Sequence, residues 1–401
     1  MGQHLCLNRD SVCVPRRRKS FHHGARRDKV YVRYQKSVLL FFLLATASTA
    51  FAAETIRVVV AKPTTVVERD GITGAGWAAI VTDGPRHTVE LTYPNHPDDF
   101  GVTAGTSCSR SIDDGLTWTQ TGDDRPIAGM VDLWQDRLRD GTLVALGIRR
   151  LPDPKLRGYP DGGGQPSDAY ALGESRDSGR TWTIAAAAIR YPPESGVVAR
   201  PLPHIIEDER AAWLMPAYVW SAAGHRAVLF ESSDRGRTWD VRSTIATVAA
   251  AREAGVAVST PWLETAVARM ADGSLRAVMR TGSSAESALV TTHSSDDGRS
   301  WSRVEKLLAG PEQRTVAGKL PNLLLMPNGL LVLLTSHTKL GCRLYVAADG
   351  TGRTWSDAHV VTLVSGGNTS MVRLDDETLL VFTPSSKRIS CHRVTLTALQ
   401  K

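Results

Sequence analysis

An eight-residue pattern, S-x-D-x-G-x-[TS]-W, recurs along this chain and constrains its fold more than any other feature. It is intact at Ser111, Asp113, Gly115, Thr117, Trp118; at Ser175, Asp177, Gly179, Thr181, Trp182; at Ser232, Asp234, Gly236, Thr238, Trp239; and at Ser294, Asp296, Gly298, Ser300, Trp301. A fifth copy, Asp349, Gly352, Thr354, Trp355, carries one inserted residue. The tryptophans follow one another at 64, 57, 62 and 54 residues, a near-constant period. Such periods mark architectures in which each unit buries its apolar face against a neighbouring unit. Within each copy, Asp and Ser suit bonding to nearby backbone N–H groups, Gly supplies positive φ, and Trp supplies apolar surface. That is the chemistry of a strand connection, so these boxes read as structural rather than as ligand contacts.

A fainter repeat lies between the boxes: an apolar strand, a turn and a second apolar strand, as in residues 265–280. Its turns fall at Asp83-Gly84, Asp140-Gly141, Asp208-Glu209, Asp272-Gly273, Asn328-Gly329 and Asp376-Glu377. Several are the Asp-Gly or Asn-Gly pairs of tight hairpins. Six first hairpins and five boxes fit an all-β, six-bladed β-propeller of four-stranded antiparallel blades, with strands 1 and 2 around the first turn and strands 3 and 4 around the box. The sixth unit has strands at 370–374, 379–383 and 389–396 but no box. Its fourth strand is expected from residues 56–61, which would close the ring and remove the open edges.

The formal net charge of +7 is concentrated at the start of the chain: residues 1–52 hold 10 of the 48 Lys and Arg but 2 of the 41 acids. The remainder is nearly neutral, which removes the case for a nucleic-acid partner. Residues 1–36 form a basic leader. Residues 37–52, with the apolar run 38–47 and the small residues up to Ala52, have the layout of a signal peptide, with cleavage expected after Ala52. Val30 or Val32 as an alternative start would give a signal of ordinary length. The apolar run is too short for a stable membrane span. Residues 53–401 then form the propeller, exported to the periplasm or beyond and expected to be monomeric. Of the cysteines past the leader, Cys108, Cys342 and Cys391, none forms a C-x-x-C pair, so neither a disulfide framework nor a zinc site follows. For Cys342 and Cys391, a bridge and buried free thiols both remain open.

Together the boxes and hairpins resemble the sialidase superfamily, and the resemblance covers nearly all of residues 53–401. Trp262-Leu263-Glu264 and Met279-Arg280 resemble the segment that carries the family's catalytic Glu and one arginine of its carboxylate-binding triad. The two residues flank the Asp272-Gly273 turn at eight and seven residues, so the hairpin returns both to its open end. An ordinary cross-strand ion pair would look the same. By the same hairpin rule, Asp132 and Arg149, Arg200, and Lys319 with Ser336 or His337 are expected at the ligand face. Asp99, with Asp98 as second choice, resembles the family's acid/base aspartate.

The departures from the family are specific. Its R-I-P motif is missing, with Arg69 the sole arginine in that segment; Lys339 and Arg343 are imperfect candidates for the third triad arginine; and the tyrosine nucleophile's place reads Gly367-Asn368-Thr369-Ser370. The resemblance implies a sialidase-like exo-glycoside hydrolase acting on sialic acid or another acidic sugar. Asp99 would be the acid, Glu264 the base or electrostatic stabiliser, and Arg280 and its basic neighbours would hold the carboxylate. No cofactor or metal is implied. A non-catalytic glycan-binding propeller is the alternative.

Overall fold

The computed structural model describes residues 56–398, except 71, 73, 83–85, 95–104, 124–126, 150–169, 191–197, 202–203, 221–224, 259–262, 283–285 and 365–366; within strands, the side chains of 131–132, 149, 198–201 and 220 also lie outside the described set. Its strands form the six expected blades. Blade one is Trp77–Thr82, Thr88–Pro94, Thr106–Ser111 and Thr119–Asp123; blade two is Met130–Arg137, Leu143–Arg149, Tyr170–Ser175 and Thr183–Ile189. Blade three is Val198–Pro201 with Ile206–Glu207, then Trp213–Trp220, Arg226–Ser232 and Thr238–Thr247. Blade four is Thr265–Arg269, Leu275–Arg280, Leu289–Ser294 and Glu305–Lys306; blade five is Lys319–Leu325, Leu331–His337, Gly341–Ala347 and His359–Thr362. Blade six has Ser370–Arg373, Thr378–Pro384 and Arg388–Ala398, and its outer strand is Ile56–Val60, paired antiparallel from Ile56 opposite Ala398 to Val60 opposite Val394. Thr64–Glu68 pairs with the other end of the same long strand. The segment expected to close the ring does so.

The first hairpins close more loosely than two-residue turns. In blade two, Leu138 N donates to Thr142 O at 2.9 Å and Gly141 N donates to Leu138 O at 2.9 Å, leaving three loop residues with Gly141 at φ +83°. This is a type I turn followed by a left-handed residue, and Asp-Gly serves it as well as it serves the shorter loop.

In the intact boxes the side chains make the bonds the pattern suggests. Asp177 Oδ1 accepts from Ser175 Oγ at 2.9 Å and from Thr181 N at 2.9 Å, while Gly179 N donates to Ser175 Oγ at 2.9 Å. Two successive residues, such as Asp114 and Gly115, take positive φ. The boxes also have a second task that their local sequence does not disclose: the first, third, fourth and fifth bond to the preceding blade. Arg393 Nη1 and Thr64 Oγ1, within and beside blade six, donate to Asp114 O at 2.9 Å and Gly115 O at 3.0 Å in the first box. Ala188 N and Arg190 N of blade two donate to Arg237 O and Trp239 O, both at 2.8 Å. Ser243 Oγ of blade three donates to Gly298 O at 2.6 Å, and Arg276 Nε of blade four to Thr351 O at 3.0 Å. At Gly298 a Cβ would lie 2.4 Å from Leu229 of blade three, so glycine is needed there for close approach as well as for its φ of +80°.

The buried side chains accordingly form a ring of wedges between blades. Trp134 and Leu146 of blade two pack with Trp213, Phe230 and Trp239 of blade three. Leu91 and Tyr93 of blade one pack with Leu380 and Phe382 of blade six. Cys108, Cys342 and Cys391 are buried and free, and burial pushes the Cys391 thiol up to about 12. Cys342 and Cys391 form no bridge.

Hydrogen bonds from Thr181 hold the Asp177 carboxyl down at about 2, and those from Ser300 lower Asp296 likewise. A carboxylate whose folded pKa lies below its unfolded value of about 3.9 stabilises the fold above that value, and the contribution is lost as pH falls through the folded value. Melting temperature should therefore drop between about pH 4 and pH 2, and Asp177→Asn should flatten that drop. A chain beginning at Pro63 should melt at lower temperature and self-associate with concentration, because the edge of Arg388–Ala398 is then uncovered; light scattering reads this directly.

Candidate functional site

Around the propeller axis the first strands of blades one and two, four and five, five and six, and six and one pack on one another, and that of blade four packs on Trp213–Trp220 of blade three. At one end of that axis lies a pocket to which every blade contributes: Trp77, Thr92, Tyr93, Pro94 and Thr106 from blade one, Leu133 and Trp134 from blade two, Tyr218 from blade three, Glu264 at the entry to blade four, Leu320 from blade five and Asn368 at the entry to blade six. Gly74 and Gly76 complete the wall. Ala75 N donates to Asn368 O at 2.8 Å, drawing this segment across to blade six. Gly76 has φ +58°, and a Cβ there would lie 1.5 Å from Thr92 O, so no larger residue fits. The free space is about 50 Å³, roughly that of three or four waters and well short of a sugar ring.

Glu264 is buried in this wall and fixed from two sides. Arg280 Nη1 donates to Glu264 Oε2 at 2.8 Å, and Leu320 N donates to the same oxygen at 3.1 Å. The backbone adds Arg280 N donating to Glu264 O at 2.9 Å, so the hairpin returns both residues to its open end. Leu320 sits at φ +42°, an unusual conformation for a leucine, beside an irregularity in the pairing of Lys319–Leu325. Such a residue costs about 1–3 kcal/mol, and here its amide points at the carboxylate. A carboxylate held by a guanidinium and a backbone amide has one fixed direction and little freedom to reorganise, the condition for electrostatic work in a dry site.

The surroundings are aromatic. Trp134 Nε1 is buried without a partner, and Thr92 Oγ1 donates to Trp77 O at 3.2 Å. Burial raises the Tyr93 phenol above its ordinary value, and Ser109 Oγ lies 3.2 Å from its hydroxyl, so Tyr93 is a neutral phenol at physiological pH. Among the described residues no group of His, Cys, Asp and Glu is arranged to hold a metal ion.

Other residues singled out from sequence are dispersed. Asp98 and Asp99 lie outside the described residues; the flanking Pro94 and Thr106 both line the pocket. Asp132, Arg149 and Arg200 occupy strands, Arg149 opposite Met130 and Arg200 opposite Tyr218, but their side chains lie outside the described set. Lys319 is half-buried opposite Ser336, whose Oγ donates to Gly367 O at 3.1 Å. His337 is buried with Nδ1 accepting from Lys339 N and Leu340 N, and it lines a lateral groove with Arg343 instead of the axial pocket. Lys339 is exposed and pairs with Glu286 at 3.0 Å. Arg69 donates to Ser107 Oγ at 3.3 Å and approaches Asp123 at 3.8 Å. Arg343 is on the third strand of its blade, two removed from the first, and Lys339 on the connection leading to it. The aromatic residues carry no charge to mark them in the sequence, yet Thr92-Tyr93-Pro94 ends a second strand just as Arg280 does, and Tyr218 lies two residues from the end of another.

Residues 160–362 match the family described as BNR repeat-like domain. A comparison with curated proteins finds no match. Among solved structures, a protein of unknown function from Dyadobacter fermentans aligns at a TM-score of 0.63 and 17% identity, over 85% of this chain and 99% of that one. The Hadza microbial sialidase Hz136 aligns at 0.59 and 18%, over 82% of this chain and 66% of that one. An α-L-arabinanase from Penicillium chrysogenum, complexed with arabinobiose, aligns at 0.57 and 15%, over 85% and 98%. At these identities the likeness is one of fold.

Removing Arg280 leaves a buried carboxylate without its cation. Arg280→Met should cost about 3–5 kcal/mol in chemical denaturation, and adding Glu264→Gln should restore part of the loss. Equal stability of Arg280→Met and the unchanged protein would show that the pair is not desolvated.

Proposed function

Because the chain belongs to the BNR repeat-like domain family, a sialidase-like propeller, we propose that it is an exported exo-acting glycoside hydrolase with its reaction centre at the axial pocket. The observation that carries this reading is Glu264: one carboxylate, buried on the axis, fixed by Arg280 and Leu320 N, and surrounded by aromatic rings. Export is supported by the signal-like residues 37–52.

In this mechanism a sugar ring lies over the rim, its apolar face on the aromatic residues, while its reacting edge enters the space beside Glu264. Asp99 protonates the leaving oxygen. Glu264 serves as general base or stabilises the oxocarbenium-like transition state. Arg280 orients Glu264, and a substrate carboxylate would have to share it. Recognition of sialic acid or another acidic sugar therefore leans on Arg149 and Arg200. An uncharged terminal sugar suits the aromatic wall equally well.

A second reading, a non-catalytic glycan binder, is favoured by Asn368. It lines the pocket at the place where the sialidase resemblance has its tyrosine, and its amide is not a nucleophile.

Chromogenic sialosides, uronides and arabinofuranosides should separate these readings. In a hydrolase at least one is cleaved, and Glu264→Gln lowers turnover by about 10²-fold or more while binding survives. Saturable binding without hydrolysis of any of them supports the binder. Hydrolysis at the unchanged rate in Glu264→Gln would remove Glu264 from the mechanism.

A further inference from the structure

We propose that a groove on blade six, flanked by the Pro63–Asp70 segment and by Thr362 and Val364 at the end of blade five, is a second carbohydrate site, which takes an uncharged stretch of glycan chain outside the axial pocket. The groove lies at the same end of the propeller: Thr383 and Pro384 close the second strand of blade six as Arg280 closes that of blade four. It encloses about 660 Å³, against about 50 Å³ beside Glu264. Specific small-ligand sites run from about 300 to 1,000 Å³, so the groove has the capacity that the axial pocket lacks.

Its chemistry is that of a polyol partner. His392 lines the wall at 4% exposure, with Nε2 at 2.9 Å from Thr383 Oγ1 and Nδ1 buried without a partner. Burial pushes its pKa down to about 4, so the ring is neutral at physiological pH. Ser385 Oγ donates to Arg388 O and accepts from Lys387 N and Arg388 N in the turn, while Ser386 and Ser390, which line the same groove, carry hydroxyls that can donate and accept, as sugar hydroxyls do. Pro63, Pro384 and the exposed Val364 supply apolar surface for the C–H faces of a ring.

The charged residues around it cancel. Arg69 lies 3.8 Å from Asp123, Glu68 is the cross-strand neighbour of Arg388, and Asp70 balances Lys387. An anionic ligand finds no excess of positive charge there. Asp70 and Gly74, four residues apart, lie on the groove and the axial pocket, so one segment borders both. This site does not rest on catalysis at Glu264 and stands if that reading fails.

Calorimetric titration of the full chain with maltotriose, galactotriose and arabinotriose, each against 3′-sialyllactose, tests the site. At least one neutral trisaccharide should bind saturably. Ser386→Trp, which fills the groove from an exposed position, should weaken that binding at least about 10-fold, and His392→Phe at least about 5-fold. Glu264→Gln should leave it unchanged. If His392→Phe does not fold, Ser386→Trp decides alone. Absence of binding by all three neutral sugars, undiminished binding in Ser386→Trp, or tighter binding of the sialylated sugar that Ser386→Trp abolishes and Glu264→Gln leaves intact would each overturn the proposal.

Discussion

The contact on which this structure depends is the seating of each Asp box against the blade before it. Most of the described buried side chains lie where successive blades meet in wedges, such as Trp134 and Leu146 with Trp213 and Phe230. A wedge between two twisted sheets fixes their separation but does little to prevent sliding. The boxes supply what the wedges lack, through directional bonds such as Ser243 Oγ to Gly298 O and through glycines that admit the neighbouring blade to within contact. Every site residue on the axis inherits its position from that register.

At the pocket the same rigidity becomes electrostatic. Glu264 belongs to blade four, its cation to the next strand of that blade, and its amide donor to blade five. A rotation of one blade against the other would break the Leu320 contact first. The strained backbone of Leu320 is tolerable because the strands on either side of it are paired into a sheet. The carboxylate thus reports the alignment of two blades, because it sits at the junction of units instead of within one.

The repeat made the fold legible because a box is a local object: its Asp, Gly and Trp make their turn within eight residues. Six hairpins against five boxes also revealed which strand was missing, and Ile56–Val60 fills that place. Glu264 and Arg280 were legible for the same reason, since one hairpin joins them. The remainder of the pocket was not, because Tyr93, Trp134, Tyr218 and Asn368 come from four blades and share no sequence neighbourhood. Lys339 and Arg343 show the converse: near in sequence to the expected place, they engage Glu286 and Leu340 O and are not among the residues that line the axial pocket. That the boxes bridge blades was hidden too, because their partners, such as Arg393 for Asp114, lie up to 279 residues away.

The strand that completes blade six has a consequence for the order of folding. Ile56 is among the first described residues to be made and its partner Ala398 among the last, so the pairing joins nearly opposite ends of the chain. Blades one to five can each pair their own strands during synthesis. Their stack stays an open arc until the last hairpin arrives, because contacts so distant in sequence form late. Until then the inner faces of blades one and six, including Leu91 and Phe382, have no counterpart to cover them. Closure is therefore one terminal event, and the axial pocket, which draws on both ends of the arc, comes into existence only when it has occurred.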